Sequence, residues 1–81
     1  MAPMPLYFFH LYNDEIVRDE EGRELPDIER ARVEATKAAQ EMICEEAKLG
    51  KVTLSHRIEV EDEAGLPCFT IRYRDIVEVM P

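Results

Sequence analysis

No stretch of this sequence approaches the roughly 18 consecutive apolar residues of a membrane-spanning helix. Met1 to Pro5 also lack the basic start and long apolar run of a secretory signal. Both absences point to the cytosol. Cysteine is scarce, with only Cys44 and Cys68. Cys44 falls in a helical pattern and Cys68 in a strand pattern, so both are read as reduced thiols that pack as small hydrophobes. With His10 and His56 they are the only soft or imidazole ligands, and no pair has the spacing of a zinc motif. Glycine-rich loops with phosphate-cradle spacing and a serine nucleophile elbow are both missing. Ser55 and His56 are adjacent, but alternate strand residues point to opposite faces. No catalytic residue, metal or cofactor is assigned on these grounds, and an enzyme is not the expected class.

Basic residues are the minority charge, ten against eighteen acidic, for a formal net charge of -8. That balance repels nucleic-acid backbones and anionic lipid surfaces, although it does not forbid a local basic patch. The acids gather at Asp14–Glu15, Asp19–Glu24 and Glu59–Glu63, in what read as solvated turns and strand faces. Apolar residues make up 46% of the chain, too many for general disorder. Eighty-one residues allow one domain, which buries only about 60–65% of the surface of its unfolded chain. Residues 1–4 read as a flexible tail and 5–81 as a single compact domain. A core this small gains from oligomerisation, which covers apolar surface the chain cannot cover itself.

Leu6 to Tyr12 is an aromatic-rich strand pattern, and Asn13-Asp14 a two-residue turn into a short second strand over Glu15–Asp19. Gly22 supplies a left-handed position in the next turn. Leu25-Pro26-Asp27 is a helix start signal, with the Asp27 carboxylate placed to accept from the first unpaired amides. Residues 28 to 49 contain no Pro or Gly. Ile28, Ala31, Ala35, Ala38 or Ala39, and Met42 form one apolar face, widened by Ile43 and Ala47 and ended at Gly50. The small alanines let the helix approach a sheet closely. His56 to Glu61 alternates, with Ile58 and Val60 inward and His56 at a surface or edge. Asp62 to Gly65 is a hairpin loop. Cys68 to Arg74 returns with Phe69, Ile71 and Tyr73 on one face and Thr70, Arg72 and Arg74 on the other. The outward acids of the first of these strands are expected to pair with Arg72 and Arg74. Asp75 to Val79 extends the sheet or covers an edge.

The fold class is therefore α+β, ordered β-β-α-β-β, with one long helix on one face of an antiparallel sheet. One helix covers one face, and the first strand is apolar on both. Leu6, Phe8, His10 and Tyr12, with Thr70, Arg72 and Arg74 beside them, are the candidate interaction face. The preferred reading is a protein-interaction or homodimer module whose partner is itself or another protein. The alternative is RNA or single-stranded DNA binding, in which Phe8 and His10 stack bases and Arg72 and Arg74 hold phosphates.

Met4 to Leu11, Asp19 to Arg32, Arg57 to Val60 and Asp62 to Gly65 together resemble a family of small bacterial proteins, common in alphaproteobacteria, catalogued as a domain of unknown function. Its members begin with a Tyr-Phe-Phe-His-like strand and step through Gly-x-Glu-Leu-Pro-Asp into an Ala-rich helix. The likeness spans residues 4–79, and Leu6 stands where the family often has Arg or another polar residue. It implies a bacterial origin and a compact domain, and no activity. A looser likeness, to the antitoxin half of a bacterial RNA-targeting toxin–antitoxin pair, implies a small regulatory protein. The chain lacks the DNA-binding segment that follows in those domains.

Overall fold

The computed structural model describes residues 4–80, so the expected tail lies outside the described residues except for the exposed Met4. Strand β1 (Leu6–Tyr12) is followed by two short strands, β2 (Ile16–Val17) and β3 (Arg23–Glu24), and the long helix α1 (Ile28–Lys48). After it come β4 (Arg57–Asp62), β5 (Pro67–Arg72) and the single-turn helix α2 (Tyr73–Ile76). All strand pairs are antiparallel, in the order β2-β1-β4-β5. This is the expected β-β-α-β-β arrangement with one addition. The second strand is shorter than its sequence pattern, and β3 pairs with the other end of the same β1 edge.

That split edge is closed by a side chain. Phe9 sits between the two short pairings, and its amide donates to Asp19 Oδ2 at 3.1 Å. Asp19 Oδ1 accepts from the amides of Glu21 and Gly22. The carboxylate thus stands in for a missing strand carbonyl. Gly22 has φ +75°, and a Cβ there would come within 2.9 Å of the Phe8 ring. Only glycine lets this loop lie on Phe8.

Helix α1 starts where its capping residue places it, with Arg30 N–H donating to Asp27 Oδ1 at 2.8 Å. Ala31, Ala35 and Ala39 are fully buried at four-residue spacing, and this ridge lies over β4 and β5 rather than over β1. Opposite it stand Ile58, Val60 and the buried Tyr73. Twenty-one residues make a helix of about 31 Å, whereas six strand residues span about 20 Å. The C-terminal turns therefore overhang the sheet, which leaves Ala47 and Cys44 exposed against expectation. Ile28 is also 44% exposed, because a first-turn side chain tilts back toward the N-terminus and past the sheet.

The second hairpin has its loop where the glycine placed it, with Gly65 at φ +79°. A bulge opposite Val60 and Glu61 leaves Cys68 as the extra residue of β5. The strand then ends at Arg72, and Tyr73 starts the helical turn instead of continuing the sheet. Arg74 consequently lies on α2, and the last apolar segment after it is not a strand.

Candidate functional site

Strand register places Leu6, Phe8, His10 and Tyr12 on the helix-free face with Glu59, Thr70 and Arg72. The face is less open than its sequence suggests. Leu6, Phe8 and Tyr12 are half-buried and His10 is only 4% exposed, because the Arg18–Gly22 loop folds over it. Asp19 N–H donates to His10 Nδ1 at 3.0 Å, which assigns the ring proton to Nε2. Nε2 then donates to Glu61 Oε1 at 2.7 Å, and Arg18 reaches the same oxygen at 3.3 Å. His10 therefore ties the loop to β4 and presents no ring face for stacking. Burial alone would raise the pKa of Asp19. The amides of Gly22, Phe9 and Glu21, with His10 nearby, outweigh burial and hold it below the usual 3.8.

His56 is also buried, contrary to its expected surface position, at 8% exposure. Its Nδ1 donates to Glu46 Oε2 at 3.0 Å, and its ring meets Tyr73 edge-on at 5.5 Å. Glu46 Oε1 accepts from the Thr53 amide at 2.9 Å. The overhanging end of α1 is fastened to the sheet through this one carboxylate. Burial, and then the Glu46 carboxylate beside the phenol, push Tyr73 up to about 12. A carboxylate–imidazole pair needs a nucleophile within reach to do covalent chemistry. Ser55 instead lines a groove with Arg57 and Arg72, and burial, followed by Asp62 and Glu61, raises the Cys68 thiol. Among the described residues no group of three or more His, Cys, Asp or Glu side chains is arranged to hold a metal ion. No described helix is long and apolar enough to cross a membrane.

Two surfaces remain. On the helix side, the placement of α1 over β4 and β5 leaves β1 partly uncovered. Three adjoining hollows of about 600, 300 and 490 Å³ share Leu11 and Met42, with Phe9 and Ala38 completing the floor. Val17, 52% exposed, lies at the β2 margin of the trough. Carboxylates rim it, with Glu41 and Glu45 at one end and Glu20 and Glu21 at the other. An Arg23–Glu34 ion pair, 3.3 Å, links β3 to α1 across one side. Strand alternation places Phe9 and Leu11 on the face toward the helix, so the sequence pattern gives no sign of this trough.

The second surface is a groove of about 460 Å³ on the helix-free side, lined by Ser55, Arg57, Glu59, Arg72 and Arg74. The expected cross-hairpin ion pairs do not form there. Glu59 bonds Arg57 Nε on its own strand at 2.6 Å, and the Arg57 guanidinium lies over the Tyr12 ring at 4.4 Å. Among the described residues neither Arg72 nor Arg74 has a carboxylate within ion-pair distance. The sequence-derived site is thus divided. Phe8 and His10 are covered by a loop, whereas Arg72 and Arg74 converge on Arg57 at the other end.

Neither a curated protein nor a solved structure matches the chain. Residues 6–74, from the first strand to the arginine on α2, match the family model described as Domain of unknown function (DUF6894), and the chain belongs to that family.

Proposed function

We propose that the domain is a protein-interaction module that takes a basic amphipathic helix of another protein into the trough between α1 and β1. The observation that supports this most is the half-buried floor of Phe9, Leu11, Ala38 and Met42, reached through the adjoining hollows beside a helix that lies over the other half of the sheet. A helix with apolar residues at three- and four-residue spacing fits such a trough, and flanking Lys or Arg matches the acidic rim. The small Ala38 keeps the trough deep. A methionine in its floor adapts to differing apolar side chains. Its setting in this reading is the bacterial cytoplasm, supported by the resemblance to bacterial sequences and by two free cysteines. The helix-free face is the weaker docking surface, because the Arg18–Gly22 loop already lies on Phe8 and His10 and the Arg57 guanidinium lies over Tyr12.

The test is a titration of the isotope-labelled chain with a designed Leu/Lys amphipathic peptide and with a scrambled peptide of the same composition. The expected result is a set of saturable shifts around Phe9, Leu11 and Met42, seen only with the patterned peptide. They should be lost in Val17→Glu, a change at an exposed position that leaves the fold intact. Equal responses to both peptides would overturn the reading. So would shifts centred on Phe8 and Tyr12, or a wild-type dimer joined through that face.

A further inference from the structure

The arginine groove lies on the opposite side of the sheet from the trough, and its geometry stands independently of any helix docking. Tyr73 N–H donates to the His56 carbonyl at 3.0 Å, one residue beyond the Arg57–Arg72 end of the β4–β5 ladder, which continues the alternation of the ladder's hydrogen bonds. The neighbouring pair, Arg57 opposite Arg72, is then non-hydrogen-bonded, the type in which Cα atoms approach to about 4.5 Å and side chains lie closest. Like charges directly opposite one another destabilise a sheet. In a chain with eighteen acidic residues, the position across from Arg57 carries Arg72 instead of a carboxylate, and Arg74 of α2 adds another positive charge to the same groove.

The arginines of this groove are unequally held by their neighbours. Arg57 is fixed between the Tyr12 ring and Glu59, with its Nε edge occupied and its two terminal nitrogens left over. Arg72 and Arg74 are exposed and without carboxylate partners among the described residues. Such an arrangement is relieved by an anion seated between the guanidinium groups. The forks of Arg72 and Arg74, the two terminal nitrogens of Arg57 and the Ser55 hydroxyl offer more donors than the two oxygens of a carboxylate can accept, and they suit the three terminal oxygens of a phosphate. We propose that the groove of Ser55, Arg57, Arg72 and Arg74 binds a phosphate monoester, with Arg57 as the fixed donor and Arg72 and Arg74 closing on the ligand.

The probe is inorganic phosphate, titrated into the labelled 81-residue chain at constant ionic strength, with acetate as the carboxylate control. The expected result is a saturable shift of the Arg57, Arg72 and Arg74 side-chain Nε–H signals and of the Ser55 amide. Acetate should produce no saturation. Arg72→Gln, at an exposed position, should weaken phosphate binding about tenfold, as expected for loss of one charge-assisted contact. Without phosphate, Arg72→Gln should melt no lower than wild type, because it removes the facing like charge. Only the wild type should gain additional thermal stability from phosphate beyond that variant. Non-saturating shifts, equal shifts with acetate, or shifts spread evenly to Arg18 and Arg23 would overturn the proposal. Binding of an unphosphorylated oligoribonucleotide without any response to inorganic phosphate would also overturn it, in favour of a surface that reads phosphodiesters.

Discussion

Asp19 is half-buried in a surface loop, yet it receives three backbone amides and donates its own to His10. Those bonds favour the charged carboxylate over the neutral acid, so its pKa is depressed despite burial. A depressed carboxylate stabilises the fold at pH values above its ordinary 3.8, and that contribution disappears as pH falls through the folded-state pKa. Asp19→Ala leaves the Phe9 amide at the gap in the β1 edge without its partner. We expect it to lower stability by about 1–3 kcal/mol at neutral pH, measured by urea unfolding. The difference from wild type should shrink in acid. A constant difference down to acid pH would show that the loop is held by packing on Phe8 alone. The Asp-x-x-Gly spacing of Asp19 and Gly22 was visible as a turn. The identity of the amide it serves across the strand edge depends on register, which a sequence pattern does not carry.

At the scale of elements, the helix was the most legible part. Asp27 caps it, residues 28 to 48 form it and Gly50 follows with φ +84°, because local capping and propensity decide these features without reference to the rest of the chain. β1 was equally clear from its aromatic run. Periodicity could not say which half of the sheet the helix would cover, and it therefore missed the trough. It also set Arg72 and Arg74 against acids, although Glu59 bonds along its own strand and Glu61 bonds His10. The buried alanine ridge makes a sharp prediction. Ala35 is fully buried on the sheet-facing side of α1, a helix already close to β4 and β5. Ala35→Leu should overpack that contact and cost about 1–3 kcal/mol, read as a lowered denaturation midpoint. An unchanged midpoint would mean that the helix can lift from the sheet without loss.

Across the whole molecule, two histidine–carboxylate ties hold elements that the thin alanine contact does not. His10 with Glu61 joins the early loop to β4, and His56 with Glu46 joins the overhanging end of α1 to the start of β4. Tyr73 lies within the second tie and is completely buried, so ionising its phenol would place a second negative charge beside Glu46. Its pKa of about 12, against an ordinary 10.0, has a definite sign for stability. A raised folded-state pKa stabilises the fold fully below the unfolded value, since the phenol is neutral in both states. Above pH 10 the unfolded chain gains by releasing the proton first, and stability declines until pH passes about 12. Alkaline unfolding of the wild type should therefore steepen between these two values. Tyr73→Phe keeps the ring against His56 and cannot ionise, so its stability should change less over the same window despite losing the hydroxyl's bond. Tyr7 is also buried with a raised pKa, and Tyr7→Phe is the matched control. If the Tyr73→Phe curve runs parallel to wild type through this range, alkaline loss of the fold begins at a different group and the Glu46 tie is not its trigger.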